Sequence, residues 1–580
     1  MDRIIRIDVG TPGGPIVTEE PIGKYVGFGG RAITSAIILD EVPPLCHPLG
    51  PENKLIIAPG LLAGTPASTS GHLSVGCKSP LTGGIKEANA GGLAGHYLGR
   101  LGIAAIILEG APSSDSLYTV FISKGSITIE ESNDLRMLPN YDLCARMEET
   151  HGNRVALISI GPSGEMRMSN STIAVTDTHF RPTRQARRGG VGAVMGAKGI
   201  KCIVVDPAGS RPRVPADLHK FKAANRAFVE GLKRNRVTGR DLRKQGTNAL
   251  TDIINEAGGY PANNFRHGQF TAHTFIDGAA MESLTTLRTG KASSPEGCHF
   301  GCDIRCAGNF YDEKGAWMNK RPGYETVWAH GANCGISDLD VIARLDYMDD
   351  NYGFDSIEMG VAIGMAMDAD VIEFGDCDGA IRLVEEAGKG TPMGRIIGNG
   401  AATVARCFGL ERAPVVKGQA MPAYDPRSVK GIGVTYATSP QGADHTAGYA
   451  VAPNILKIGN DINPLGTKGQ IDISRNLQIA SAALDATGYC MFVTFAILDQ
   501  TETFEAMIGT INGMFNLKLT SRDIVELGKS VLRMERAFNK KAGFNEAHDR
   551  LPMYFSREPL APHNTTFDVP DKDLDQVHIY

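Results

Sequence analysis

The segment GSRPRVPAD, Gly209–Asp217, divides the chain into two kinds of sequence. A glycine and two prolines in nine residues can continue neither a strand nor a helix, so the segment reads as a junction. Upstream of it, short apolar runs recur between turn residues: KLIIAPG (Lys54–Gly60), AAIILEG (Ala104–Gly110), RVALISIG (Arg154–Gly161) and KCIVVD (Lys201–Asp206). Runs of this length bounded by glycine are strands, and the alternating start MDRIIRIDVG adds another. From Leu218 onward helical periods dominate. The clearest places Ile524, Leu527, Val531, Met534 and Phe538 on one face, opened by Thr520 and Asp523 in capping-box spacing. A second proline-rich stretch, MPAYDPR (Met421–Arg427), offers a further boundary. The expected fold is therefore a multidomain α/β (α+β) chain: a β-sheet base domain over 1–210, then two mainly helical domains over 211–420 and 421–580.

Composition narrows the function class. The chain has 580 residues, 59 Lys+Arg against 64 Asp+Glu, and a formal net charge of -5. That balance, with no basic tail, gives no electrostatic case for nucleic acid. No apolar run approaches the roughly 18 residues of a membrane span, and the N-terminus lacks the features of a signal peptide. Eleven cysteines is an odd count in a long chain without a leader, which points to a reducing compartment, most simply cytoplasm. The scattered cysteines Cys46, Cys144, Cys202 and Cys407 read as small buried hydrophobes. Glycine is the outlier, 69 residues, marking many tight turns and close approaches of backbone to ligand. This is a ligand-binding globular protein with the character of an enzyme.

Three features carry chemistry. Cys298, Cys302 and Cys306 lie within EGCHFGCDIRCAGNF. Three thiols in nine residues suit a soft metal, either zinc or an iron–sulfur cluster, and His299 is badly placed as a zinc ligand. A helix packing the three cysteines into a core is the alternative, which Gly301 and Gly308 oppose. The stretch HFRPTRQARRGGVGAVMG, His179–Gly196, sets Arg181, Arg184, Arg187 and Arg188 before a glycine run, a pattern that suits phosphate without matching a nucleotide fingerprint. With Gly27–Arg31 and Asn89–Gly92 it suggests a large anionic ligand gripped by the N-terminal domain. Glu325 and His445 are the candidate acid–base pair, while Asp425 and Arg427 read as structural. A short echo, Asp350–Asp355 against Asp485–Cys490, shares the pattern D-x-x-G-aromatic. On pattern alone it is coincidence, since glycine often ends helices.

The ordered set GGR, VPPLCHPLGPENKLIIAPG, KSPLTGGIKEANAGG, RRGGVGAVMG, GYETVWAHGAN, PAYDPR and DATGYC resembles the aldehyde:ferredoxin oxidoreductases, tungsten or molybdenum enzymes with a bis-pterin cofactor, along nearly the whole chain to about Lys541. The resemblance implies a β-sheet base domain and two helical domains with the cofactor buried between them. It turns the echo into two pterin-binding loops, Asp350, Phe354 and Asp355 serving one pterin and Asp485, Tyr489 and Cys490 the other. It implies phosphate contacts from the Arg184–Gly192 region, with Arg184 and Arg187, and from the Asn89–Gly92 turn, with Gly91, and Mg2+ held by backbone carbonyls of Asn89 and Gln185. Cys490 becomes the fourth ligand of a [4Fe–4S] cluster with Cys298, Cys302 and Cys306. Glu325 and His445 match the residues nearest the metal, His445 hydrogen-bonding the carbonyl oxygen and Glu325 taking a proton from water or the hydrated aldehyde. The implied activity oxidises a small aldehyde to its carboxylic acid and passes electrons to ferredoxin or a small ferredoxin-like subunit; the family also suggests a homodimer.

The sequence departs from the family pattern at named positions. The family spacing is C-x2-C-x3-C, whereas the first gap here is three residues, which puts Cys302 in question as a ligand. His72 stands where the family carries an arginine between cluster and pterin, and Pro440 and Gln441 replace polar and basic residues near the pocket. These changes mark a divergent branch. They leave open a same-fold enzyme turned to carboxylate reduction or aryl thioester dearomatisation, although the retained PAYDPR, YAT and His445 match the aldehyde-oxidising members. A non-catalytic iron–sulfur carrier leaves the arginine–glycine stretch without a purpose.

Overall fold

Each apolar run upstream of the junction forms a strand in the computed structural model, which describes residues 1–580. The first six strands are β1 (Arg3–Asp8), β2 (Ile16–Pro21), β3 (Leu55–Pro59), β4 (Leu73–Lys78), β5 (Ile85–Ala90) and β6 (Ile103–Glu109). The next six are β7 (Tyr118–Ser123), β8 (Ser126–Glu131), β9 (Ala156–Ser159), β10 (Ile173–Val175), β11 (Arg184–Ala186) and β12 (Ile200–Val205). They make two six-stranded sheets, ordered β2-β1-β6-β3-β4-β5 and β8-β7-β12-β9-β10-β11. The orders are the same with every number advanced by six. In each sheet one pair is parallel, β1 with β6 and β7 with β12, and the rest are antiparallel.

The base of the molecule is thus two copies of one motif. The D-x-x-G echo is accompanied by a second internal repeat, which the sequence analysis does not reveal. Its traces are legible once the strands are aligned: Gly92-Leu93-Ala94 opens the helix Ala94–Arg100 and Gly102-Ile103 opens β6, while Gly189-Gly190-Val191 opens the helix Val191–Ala197 and Gly199-Ile200 opens β12. Gly92, Gly102, Gly189 and Gly199 all have positive φ, between 66° and 100°, so backbone geometry holds these glycines where side chains have drifted apart.

Those two short helices lie between the sheets, where Leu98, Val191, Val194 and Met195 share one core with Ile5, Ile106, Ile158 and Ile203. Each outer face carries its own helix: Gly30–Glu41 covers the first sheet, and Asn140–His151 covers the second. Strands covered on both faces are mostly apolar, which is why β3, β9 and β12 read as apolar runs; the one charged residue among them, Lys201, pairs with Glu165.

After the junction the chain is mainly helical, beginning with Leu218–Arg234. The helix Ser521–Lys541 starts with the expected Thr520/Asp523 capping box and buries Ile524, Val531 and Phe538, while Leu527 and Met534 are partly covered. Phe538 reaches the outer core of the first sheet, so the last long helix ties the C-terminal region back to the base. Asp425 and Arg427 form a buried ion pair at 2.7 Å inside the AYDPR turn, consistent with a structural role. Cys46, Cys144 and Cys202 are buried, but Cys407 is exposed: it sits in the last turn of Ala401–Phe408, whose inward side is taken by Ala401, Val404 and Ala405. No helix is long and apolar enough to cross a membrane.

Candidate active site

The site forms where the duplicated base meets two helix ends. The helices Leu339–Tyr352 and Gln470–Thr487 stop at Gly353 and Gly488, with φ of 84° and 87°. Left-handed geometry at this position favours glycine, and it turns each chain sharply toward the base. Each helix end is met by a glycine that follows an equivalent strand. A Cβ on Gly60, after β3, would fall 2.1 Å from Cα of Gly488; one on Gly161, after β9, would fall 2.3 Å from the carbonyl oxygen of Tyr352. The D-x-x-G echo is therefore two structurally equivalent helix ends, each seated on its own copy of the sheet motif.

Each loop aspartate faces cations supplied from elsewhere. Asp350 is held by Arg187 at 3.0 Å and by Lys320, and its side chain is wholly covered. Asp485 accepts a hydrogen bond from Arg31 at 3.1 Å and keeps 14% of its side chain open to the cavity. Arg31 is also gripped by Glu535 through two bonds of 2.8 and 2.9 Å, so its orientation is fixed. Beyond each aromatic, the loops diverge. Asp355 caps the next helix, Ser356–Asp368, through the N–H groups of Ile357 and Glu358 and pairs with Arg188 at 3.1 Å; the matching residue of the other loop is the thiol Cys490.

Between the two helix ends lies a cavity with two lobes, of 310 and 290 Å³. Arg184, Lys320, Thr326, Gly91 and Cys306 line the first; Arg31, His72, Glu87, Gln441, Asp485 and Cys490 line the second. Asn89, Gln185, Arg187, Glu325 and His445 border both. Several buried polar atoms here have no partner in the protein, among them Nε of Arg184 and Arg187 and Nε2 of His72. Buried donors are nearly always satisfied, so these mark places where a ligand with acceptor oxygens or sulfurs belongs. Gln185 is different: its side chain is consumed by Thr172 (2.7 Å) and by the carbonyl of Pro182 (2.8 Å). Of the four arginines in the glycine stretch, Arg181 lies outside the cavity, stacked 4.0 Å over Trp317.

The cysteine segment is a loop, not a helix, and Gly301 within it has φ of 80°. Thr69 joins it to the distant cysteine. Its N–H donates to the carbonyl of Gly301 (2.9 Å), its hydroxyl accepts from the N–H of Asp303 (3.1 Å), and its carbonyl accepts from the N–H of Cys490 (3.0 Å). The Cys302 thiol is pushed well above its ordinary pKa by its hydrogen-bonding neighbour Cys298 and by burial. Cys298 lies under Gly91, where an added Cβ would come within 2.9 Å of its sulfur. His72 bonds Asn89 at 2.6 Å through Nδ1; burial disfavours its charge, but the adjacent Cys490 sulfur raises its pKa to about 9. Three buried imidazoles meet here: His299 lies 5.7 Å from His72 and 5.3 Å from His96, ring centre to ring centre. Ligand atoms of His72, Cys298 and His299 fall within 4.8 Å of one another.

Glu325 opens the helix Tyr324–His330, and His445 sits on a loop opposite, with Nε2 of the imidazole 3.2 Å from Oε1 of the carboxylate. Oε2 of Glu325 accepts from the N–H of Ala423 at 3.0 Å, so the AYDPR turn fixes that side of the carboxylate and leaves Oε1 facing the cavity. Burial raises the pKa of Glu325 against the pull of His445. Tyr424 and Tyr449, hydrogen-bonded at 2.9 Å, close the wall beside them.

The structure brings His72, Asn89, Gly91, Arg184, Gln185, Arg187, Glu325, Gln441, His445, Asp485 and Cys490 to the cavity walls. Asp350, Phe354, Asp355 and Tyr489 are fully buried behind it. Sequence reasoning missed Glu87, Lys320, Asp444, Tyr424 and Tyr449. Lys86 and Glu87 stood inside a quoted motif, and burial raises Glu87 to a pKa of about 8. Lys86, only 1% exposed, bridges Gln441 and Asp444 at 3.3 Å each, which gives Gln441 a holding role.

Comparison with known proteins gives the family and the fold. Residues 4–207 match the N-terminal domain of aldehyde ferredoxin oxidoreductase, and residues 223–577 match its domains 2 and 3. The tungsten-containing aldehyde ferredoxin oxidoreductase of Pyrococcus furiosus is 34% identical over 581 residues, spanning 96% of this chain and 92% of that protein. The enzyme of the same name from Thermococcus kodakarensis is 33% identical with the same coverage. A more distant relative is the WOR-like subunit of an aliphatic sulfonate oxidoreductase from Pyrococcus furiosus, 25% identical over 90% of this chain and 82% of its own. The fold is shared with a chain of the active-site complex BamBC of benzoyl coenzyme A reductase, at a TM-score of 0.80 and 18% identity, covering 100% of this chain and 93% of that one. With two domain models and a third of all residues matched along its length, the chain belongs to the aldehyde ferredoxin oxidoreductase family of oxidoreductases.

Proposed function

We propose that this enzyme oxidises small aldehydes to carboxylic acids with a tungsten or molybdenum bis-pterin cofactor, a [4Fe–4S] cluster and Mg2+, and passes the electrons to ferredoxin or a ferredoxin-like subunit. The observation that carries the reading is the two-lobed cavity between equivalent helix ends, with the distant Cys490 tied through Thr69 to the three-cysteine loop. A ligand with two similar halves fits two similar seats, and the unpartnered guanidinium nitrogens of Arg184 and Arg187 suit its phosphates. Asp485 would meet one half directly, while Asp350 would act by holding Arg187 and Lys320 in place. Backbone carbonyls of Asn89 and Gln185 would hold the Mg2+, a role that leaves the Gln185 side chain free for its packing bonds. Cys298, Cys302, Cys306 and Cys490 would hold the cluster, and His72 would link Cys490 to Asn89.

When bound, the metal supplies a Lewis acid and a two-electron acceptor. The chain's part is to orient the aldehyde and manage protons. Glu325, with Oε1 turned to the cavity and its pKa raised by burial, receives a proton from water or the hydrated aldehyde. His445, with Nε2 3.2 Å from Oε1 of Glu325, would donate to the carbonyl oxygen of the aldehyde. Apolar and aromatic walls from Leu250, Tyr324, Tyr424 and Phe492 exclude bulk water. The test is elemental analysis of anaerobically purified protein together with aldehyde-dependent viologen reduction. Tungsten or molybdenum with iron and phosphorus, and dye reduction by aldehydes, is the expected result; a protein that holds neither heavy metal nor iron and leaves the dye oxidised would sink it.

A further inference from the structure

Residues 220–244 hold nine Lys or Arg and two acidic residues, in a chain whose net charge is -5. This segment covers most of the helix Leu218–Arg234 and the short helical turns Val237–Asp241 and Leu242–Gln245 after it, and it packs beside the cysteine loop. Oδ1 of Asn225 accepts from the N–H of Ser68 at 2.9 Å, and the Ser68 hydroxyl donates to Asp303 at 2.7 Å. From the other side Arg243 donates to the carbonyl of Asp303 at 2.9 Å. The cysteine loop is thus clamped between the two ends of the basic segment.

The helix turns a cationic stripe outward there. Lys222, Arg226 and Lys233 recur at helical spacing on the arc beside Asn225, while Phe221, Phe228 and Leu232 face the core. Lys222, Lys233 and Lys244 are exposed, as is Arg305 on the cysteine loop itself. In the middle, between Cys298 and Cys302, Phe300 is 57% exposed. Other large apolar side chains of the chain are also exposed; Phe300 is set apart by its place between two cysteines in a loop pinned by Thr69. Cys298 and Cys306, in the same loop, are both only half-buried.

We infer that Phe300 and the surrounding Lys222, Arg226, Lys233, Lys244 and Arg305 form the docking surface for a small acidic electron-carrying protein. The inference rests on the functional reading above, since it needs the cysteine loop to hold a redox centre. A rigid apolar anchor ringed by cations provides what a fast, transient complex requires. Opposite charge steers encounter over a Debye length, and a small dry contact sets the distance for electron transfer. Low-molecular-weight dyes need none of this, because they can reach the loop without docking.

The test uses the anaerobically purified full chain and an acidic bacterial ferredoxin. Carbodiimide cross-linking, which joins ferredoxin carboxylates to lysines in contact, is expected to map to Lys222, Lys233 and Lys244. The triple variant K222E/R226E/K244E is expected to raise KM for ferredoxin about tenfold and flatten its salt dependence, with aldehyde-dependent viologen reduction unchanged. F300A should lower ferredoxin turnover without altering the dye rate. Cross-links confined to other lysines, or an unchanged KM in the triple variant, would overturn the surface while leaving the enzyme's function intact. Cross-links at the three lysines in a protein that reduces neither acceptor would instead support the surface and defeat the functional reading.

Discussion

The Asp350 loop and the Asp485 loop are built alike and end differently. Both close a helix with a left-handed glycine, both bury the aromatic that follows, and both rest on a glycine after the third strand of a sheet motif. The next residue breaks the symmetry. Asp355 turns into protein, capping a helix and pairing with Arg188, whereas Cys490 puts a thiol beside His72 on the cavity wall. A duplicated base can hold both halves of a symmetric ligand, and under the proposed function the one difference at an equivalent position would give the site a single direction for electrons. The sharpest test exchanges nothing but that position. Cys490→Ser should lose the iron–sulfur signal in EPR, lower iron per chain and abolish ferredoxin-linked turnover. Asp355→Asn, which keeps a capping oxygen, should retain full iron. Equal iron loss in the two variants would mean that the loops do not differ in the way the structure suggests.

Glu325 stands where the lobes meet, so it belongs to neither loop. Glu325→Gln is expected to lower kcat by about 10²- to 10⁴-fold while metal, iron and phosphorus contents stay at wild-type levels. The sign of the pH effect follows from burial. A base must be unprotonated to act, and its pKa is raised, so turnover should climb with pH across a range above that of ordinary carboxylates. A pH–rate profile whose acid limb lies at the usual carboxylate value, or full activity in the variant, would remove Glu325 from the chemistry.

The aspartates come next in size. Asp350 faces both Arg187 and Lys320 and is sealed from the cavity, while Asp485 faces Arg31 and stays partly open. Removing one partner of a sealed pair strands buried charge, at a cost of about 3–5 kcal/mol. Asp350→Ala should therefore lower thermal stability more than Asp485→Ala, because it leaves two buried cations, Arg187 and Lys320, to share the one carboxylate of Asp346, whereas Arg31 alone keeps Glu535. In cofactor content the order should reverse, since only Asp485 lines the cavity. Differential scanning calorimetry and phosphorus analysis of the two variants separate these outcomes, and a single ranking in both would contradict the assignment.

Much of this was legible in local sequence. Glycine-bounded apolar runs revealed β3, β6, β9 and β12, and the Thr520/Asp523 spacing revealed the last long helix, because these depend on neighbours along the chain. Six of the expected site residues on the cavity walls, Asn89, Gly91, Arg187, Glu325, Asp485 and Cys490, lie inside the ordered motifs. The duplication was not read, because it survives mainly in backbone geometry: Gly92 and Gly189 align, but the side chains around them have little in common. Lys320, Glu87 and Asp444 escaped for another reason. Each is an ordinary charged residue whose meaning comes from a partner far away in sequence, such as Asp350 for Lys320 or Lys86 for Asp444. Cys407 was misread because a lone cysteine near a helix end carries no mark of which face it takes.

The smallest effects concern the glycines that make the loops alike. At Gly353 and Gly488 an alanine must adopt positive φ, which costs about 1–2 kcal/mol at each. Crowding adds unequally. The new methyl at position 488 would lie 2.9 Å from Cα of Gly60, which is backbone and cannot move aside. At position 353 the nearest atoms are the N of Gly161 and the hydroxyl of Ser163, both at 3.1 Å, and a serine side chain can rotate. Gly488→Ala should thus be the more destabilising of the two, and its extra cost should vanish from no other source than the Gly60 contact. Gly60→Ala in the same background should then add less than it does alone, the non-additivity expected of residues in contact. Independent, additive losses in a thermal-melt double-mutant cycle would show that the strand-end glycine and the helix-end glycine do not form one joint, and that the likeness of the two loops stops at the helix caps.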